Sequence, residues 1–187
     1  MRIAVLASGE GSNLQALIDQ VHRRESAEIV RVVSDKPAAR ALERAGAAEI
    51  PSAVLELTAY ADRAARDAAI ADLLRDDGVE LVVLAGYMAI LSPGFIAAFA
   101  GRIINVHPSL LPKFPGLDAI GQAISAGESE TGVTVHFVDE GVDTGPVIAQ
   151  QSLTIAPDES LDHLTQRIHQ LEHHLLPQTV LNLSSQG

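Results

Sequence analysis

Apolar and polar positions fall into two kinds of block along this chain. Short runs that are apolar almost throughout, "RIAVLAS" (2–8), "AEIVRVVSD" (27–35) and "VELVVLA" (79–85), have the length and β-branched content of strands buried on both faces. Between them lie Ala- and Leu-rich stretches with helical spacing, over 12–24, 38–46, 59–77 and 93–99. A weaker strand is expected near 49–55, and "GRIINV" (101–106) reads as another. Strand followed by helix, repeated, predicts a parallel sheet covered by helices on both faces.

After a proline-rich loop the pattern changes. Residues 118–127 read as a helix. "TGVTVHFVD" (131–139) alternates as a strand, and "GPVIAQQSLTI" (145–155) follows it across the turn-rich "DEGVDTG". Strands joined so closely pair antiparallel. A last helix is expected over 158–184, broken at Pro177. The fold class expected is α/β: a Rossmann-like, doubly wound, mostly parallel sheet with an antiparallel C-terminal edge. The length suits a single domain over residues 1–187. Ligands of such sheets sit outside the carboxyl ends of the strands. Segments 8–13, 85–91 and 105–117 fall there.

Composition narrows the function. Aromatic residues make up only 3% and the formal charge is −11, which argues against nucleic acid as a partner. With no cysteine, disulfide scaffolds, thiolate catalysis and Cys-based zinc sites are excluded. The apolar run Ile3 to Ala7 is too short for a signal-peptide core, and Leu81 to Leu91 is too short for a membrane span. The expectation is a cytoplasmic protein, monomer or homodimer, that acts on small molecules without membrane or nucleic acid.

"SGEGSNLQ" (8–15) links the first strand to the first helix. The backbone N–H groups of Gly11, Ser12 and Asn13 would face outward at the positive end of that helix, a place for a phosphate. Gly9 and Gly11 fit a dinucleotide fingerprint, but its third glycine falls on Leu14, and no Walker lysine follows. The alternative is a plain turn capped by Ser12 or Asn13.

"INVHPSLLPKFPG" (104–116) places Asn105 and His107 two apart at a strand end, so extended backbone puts both side chains on one side. Pro108, Pro112 and Pro115 stiffen the loop after them. His107 offers a group that titrates near neutrality, or simply a strand-end imidazole bonded to backbone. Asp139, Glu140 and Asp143 lie in the 139–146 turn. A carboxylate beside His107 would favour its protonated form; otherwise this is a solvated acidic turn. Ser109 completes the inventory of a hydrolase triad, but H-P-S-L-L is not the nucleophile elbow. "HQLEH" (169–173) matches a reversed zinc-protease pattern, yet no acidic residue follows Glu172. No metal site is therefore assigned. Glu172 would bind a hydroxylated ligand or meet solvent, and His22, His136, His163 and His174 show no ligand spacing.

Taken together, "SGEGSNLQ", "VVLAGYMAILSP", "INVHPSLLPKFPG", "TGVTVHFVDEGVDTGPVI" and "EHHLLP" resemble, end to end, the phosphoribosylglycinamide formyltransferase family of purine synthesis. That resemblance implies the formyltransferase fold and transfer of a formyl group from 10-formyltetrahydrofolate to the amine of glycinamide ribonucleotide. It implies that Gly11, Ser12 and Asn13 hold the phosphate and Glu172 the ribose hydroxyls. Met88, Ala89, Ile90 and Leu91 would line the folate pocket with Asn105, and Arg63 would contact the folate. Asn105, His107 and Asp143 match the catalytic trio. Many relatives in the family carry a histidine where this chain has Asp118, and some carry an arginine where it has Ala89. A formyltetrahydrofolate hydrolase and a non-catalytic phosphate-binding module remain as alternatives.

Overall fold

A computed structural model describes residues 1–24 and 26–185. Its centre is a seven-stranded sheet built from β1 (Arg2–Leu6), β2 (Glu28–Ser34), β3 (Ser52–Val54), β4 (Leu81–Leu84), β5 (Ile103–His107), β6 (Glu130–Phe137) and β7 (Val147–Thr154). The order across the sheet is β3-β2-β1-β4-β5-β6-β7. The first five strands run parallel, while β5–β6 and β6–β7 pair antiparallel, as the sequence pattern predicts.

Among the described residues, six α-helices accompany the sheet: α1 (Ser12–Gln20), α2 (Arg40–Ala47), α3 (Arg63–Asp76), α4 (Pro93–Ala98), α5 (Ala119–Ser125) and α6 (Leu161–Ser184). Alternation along β1 divides the core in two. Ile3, Val5 and Ala7 join the cluster with Leu14, Leu17, Leu164, Ile168 and Leu176 of α1 and α6. Ala4 and Leu6 join the opposite cluster, with Ile70 and Leu74 of α3, Phe95 of α4 and Phe99 just after it. Both faces of β1 are buried, which is why its sequence reads as one continuous apolar run.

Several boundaries differ from the sequence reading: α1 ends at Gln20 and not at residue 24, and α6 starts at Leu161 and not at 158, where Ser160 accepts from the His163 N–H as its cap. The helix expected from residue 59 starts at Arg63, because Leu57–Ala59 form a 3₁₀ turn and the Asp62 carboxylate accepts from the Ala65 N–H at 2.8 Å, capping the helix there. β5 extends to His107, which is paired with Thr134 of β6. Helix α6 is not broken at Pro177. Proline cannot donate to the carbonyl four residues back. That carbonyl, on His173, instead accepts from the side-chain amide Nε2 of Gln20, on α1, at 2.9 Å. Among the described residues, no helix is long and apolar enough to cross a membrane.

Candidate functional site

The carboxyl ends of β1, β4 and β5 carry the three segments expected to converge. In the first, Gly11 is the N-cap of α1 in a left-handed conformation (φ 69°), with no side-chain cap. Neither Ser12 nor Asn13 caps the helix, contrary to the simpler reading of this turn. Ser12 is its first residue, and the Asn13 amide donates to Glu172 Oε2 at 3.0 Å. The N–H groups of the first turn are thus left for an outside acceptor. Gly11 has a packing reason as well: an added Cβ would sit 2.8 Å from Cα and Cβ of Ala41, since α2 closes on the turn through the Ala41 N–H to Gly9 carbonyl bond.

Glu172 does not meet solvent. It is 5% exposed on α6. Burial pushes its carboxyl up to about 7, and the Asn13 bond offsets only part of that rise. His169 and His173 share a face of α6, their rings stacked 6.4 Å apart. Among the described residues, no group of His, Asp and Glu is placed to hold a metal ion.

At the end of β5 the fold brings Asn105, His107 and Asp143 together. His107 Nδ1 lies 3.4 Å from Asp143 Oδ2, and Asn105 Nδ2 donates to Asp143 Oδ1 at 3.4 Å. His107 Nε2 bonds the Phe114 carbonyl at 2.8 Å. A carbonyl only accepts, so Nε2 carries a proton and Nδ1 is the nitrogen left to face the acid. The Gly116 N–H donates to Asp143 Oδ2 at 2.8 Å, tying the proline-rich loop to the acidic turn. Asp139 acts within the turn itself. Its Oδ1 accepts from Gly141 N–H and Thr144 Oγ1, closing the turn that presents Asp143. Asp143 sits at φ 54°.

A fourth residue, His136, belongs to this cluster. It is 2% exposed and directly opposite Asn105 in the β5–β6 register. Its Nδ1 bonds the Phe137 carbonyl at 2.8 Å, so its Nε2 is free to accept from Asn105 Nδ2 at 3.2 Å or, when protonated, to donate to Asp143 Oδ1 at 3.4 Å. Burial alone would raise the Asp143 carboxyl. The His136 bond, the Gly116 N–H and the two imidazoles outweigh it and hold Asp143 below the usual carboxylate range. The sequence signal for His136 is its place in an alternating strand; only the register, which spacing does not disclose, sets it against Asn105.

The third segment, 85–91, turns at Gly86 (φ 75°). Met88 and Ile90 stand 65% and 68% exposed, while Ala89 is half-buried and Leu91 buried. Leu117 and Val142, on the two neighbouring loops, are also exposed. Met88, Ile90, Leu117 and Val142 leave apolar surface exposed on loops of the fold. Arg63 lies exposed on the first turn of α3 and makes no ion pair among the described residues. Asp118 is exposed at the N-terminus of α5 and serves that helix through its carbonyl, which accepts from Gln122. Ser109 is fully buried and donates to the Lys113 carbonyl at 2.6 Å, which makes it a loop brace and not a nucleophile.

The family model described as "Formyl transferase" matches residues 1–180. The phosphoribosylglycinamide formyltransferase of Bacillus subtilis is 46% identical over 190 residues, covering 100% of this chain and 97% of that protein. The trifunctional purine biosynthetic protein adenosine-3 of Drosophila melanogaster is 50% identical over 97% of this chain, which spans only 14% of that longer protein. Among solved structures, glycinamide ribonucleotide transformylase 1 from Geobacillus kaustophilus superposes with a TM-score of 0.94 at 48% identity, covering 97% of each chain. The uncapped glycine turn, the Asn–His–Asp cluster and a match that runs almost from end to end lead to one assignment: this chain belongs to the formyl transferase family.

Proposed function

We propose that this chain transfers the formyl group of 10-formyltetrahydrofolate to the amine of glycinamide ribonucleotide, a step of purine synthesis. The observation that carries the reading is the placement of Asp143 within 3.4 Å of both His107 and Asn105, at the same end of the sheet as a helix N-terminus without a side-chain cap. The relatives' printed names, phosphoribosylglycinamide formyltransferase and glycinamide ribonucleotide transformylase, support the substrate pair.

The phosphate of glycinamide ribonucleotide accepts from the N–H groups of Gly11, Ser12 and Asn13 and gains from the helix dipole. Ionised Glu172, steadied by Asn13, accepts from the ribose hydroxyls. The folate ring lies against Met88, Ala89, Ile90 and Leu91 with Asn105 at its reacting end, and Arg63 faces its carboxylate tail. Holding both substrates side by side supplies proximity.

The free amine attacks the formyl carbon, and the carbonyl oxygen becomes an oxyanion. Donors already aimed at that oxygen give the largest stabilisation in acyl transfer. Asn105 Nδ2 holds Asp143 only through a 3.4 Å contact, a loose bond that an oxyanion displaces. Protonated His107 adds a positive charge beside the neutral Asn105 donor. Its Nε2–H is committed to Phe114, so the proton that moves is on Nδ1, the nitrogen facing Asp143. Asp143, held below the usual carboxylate range, receives the proton released from the attacking amine, directly or through water. The tetrahedral intermediate then expels N10 of the folate, which takes the His107 Nδ1 proton as it leaves, and Asp143 passes the proton gained from the amine back to Nδ1. The amine is a competent nucleophile by itself, so no covalent enzyme intermediate is needed.

A product balance tests the proposal. The chain is incubated with 10-formyltetrahydrofolate, with and without glycinamide ribonucleotide, and formylated ribonucleotide and free formate are measured. Formylated product that appears only with the ribonucleotide supports the proposal. Formate released at the same rate in both mixtures makes the chain a hydrolase and overturns it.

A further inference from the structure

The backbone of residues 85–92 is held at two points by side chains from distant parts of the chain. Near its start the Met88 N–H donates to Ser8 Oγ at 2.8 Å. At its end the Ser92 N–H donates to Asp67 Oδ2 at 2.6 Å. Asp67 is completely buried, and its other oxygen takes two bonds from Arg66, so this acceptor is a carboxylate with its charge paired.

The anchor at Ser8 is directional. A serine hydroxyl has one proton. The oxygen accepts from Met88, and the proton goes to Asp35 Oδ1 at 2.6 Å. The main-chain N–H of Ser8 also donates to the carbonyl of Gly86, where the loop turns with positive φ. Asp35 follows directly on β2. In dinucleotide-binding sheets an acid at about this place takes a ribose hydroxyl of the ligand. Here a hydroxyl of the chain itself occupies that acid, and the arrangement serves the loop beside it.

We infer that Ser8 and Asp35 form a positioning pair that fixes the peptide plane at Met88, so that the main chain from 88 to 91 is set in advance to bind the pterin of the folate. The inference rests on the proposed role of that loop. Neither side chain is assigned contact with the reacting atoms. Ser8 also immediately precedes the glycine turn, so one residue joins the loop of one substrate to the strand that carries the site of the other. A chain of two hydrogen bonds ending on a carboxylate resists the loss of either link, because each bond polarises the next.

The experiment compares Ser8→Ala, Asp35→Ala and Asp35→Asn with the wild-type enzyme. Ser8→Ala leaves the Met88 N–H without its acceptor and is expected to raise KM for 10-formyltetrahydrofolate about tenfold, the scale of one lost hydrogen bond. Under the same conditions kcat and KM for glycinamide ribonucleotide stay within about threefold. Asp35→Ala moves in the same direction. Asp35→Asn keeps an acceptor oxygen and restores folate KM to within about threefold of wild type. The second readout needs no turnover: the Met88 amide exchanges its hydrogen faster in Ser8→Ala and Asp35→Ala, and not in Asp35→Asn. Unchanged Met88 exchange in folded Ser8→Ala overturns the inference, as does a KM that rises equally for both substrates. If Ser8→Ala does not fold, Asp35→Ala against Asp35→Asn gives the same decision. A wild-type enzyme without formyl transfer would sink the functional reading instead, and the exchange comparison would still decide whether the pair fixes the loop.

Discussion

Replacing Glu172 by glutamine should make the protein more stable and a worse enzyme. The carboxyl is 5% exposed, and burial moves its pKa from 4.5 to about 7. The folded state therefore keeps its proton between those two values, while the unfolded chain loses it. With more protons bound in the folded state, stability from this group is fully present below about 4.5 and falls as pH rises to about 7. At about 1.4 kcal/mol per pKa unit, the loss amounts to roughly 3 kcal/mol above pH 7. Glutamine has no charge to bury, and its carbonyl can still accept from Asn13. Urea unfolding of wild type and Glu172→Gln from pH 4 to 8.5 reads the difference, in which all other titrating groups cancel. Near pH 4 the two curves should coincide. At pH 8 the variant should be more stable by about 2–3 kcal/mol. Its KM for glycinamide ribonucleotide should rise about 10- to 100-fold, since hydrogen bonds to a charged acceptor are worth about 1.5–3 kcal/mol. A variant no more stable than wild type at pH 8 would refute the reasoning about burial. A variant with unchanged KM would remove Glu172 from the substrate site.

The remaining predictions concern the turn, the cluster and the loop. Gly11→Ala should lower stability by about 1–3 kcal/mol through left-handed strain and the clash with Ala41, read by urea unfolding, and weaken binding of the ribonucleotide phosphate. His136→Ala removes a hydrogen bond that depresses the Asp143 carboxyl. Activity that needs ionised Asp143 fails as pH falls through its pKa, so the acid limb of kcat/KM should move to higher pH. An unmoved limb would show that His136 does not tune the acid. Asp67→Ala leaves buried Arg66 without its partner and should cost about 3–5 kcal/mol in unfolding experiments.

The parallel core was legible because its strands are buried on both faces, and continuous apolar runs such as Leu81–Leu84 announce that condition. The antiparallel edge was legible from the short turn between 139 and 145. Asn105 and His107 were legible as a pair, since alternate residues of an extended strand share a side. That Asp143, and not Asp139 or Glu140, would meet them depended on the turn closed by Thr144 and on the left-handed backbone at 143. His136 was hidden because its role arises from cross-strand register, which is set by packing over the whole edge. The helix through Pro177 was misread for a similar reason: the carbonyl that proline frees, on His173, finds its partner in Gln20, on a helix at the other end of the chain. The anchors at Ser8 and Asp67 likewise join segments that no local pattern connects.

The central claim is that Asp143, held ionised between two imidazoles, carries protons for a formyl transfer. The most direct measurement is the single-turnover rate of formyl transfer, with both substrates saturating, in wild type and Asp143→Asn. The amide keeps the shape of the side chain and removes its charge, so the rate should fall at least about 100-fold, the usual scale for losing such a group. A rate within about threefold of wild type would contradict the account.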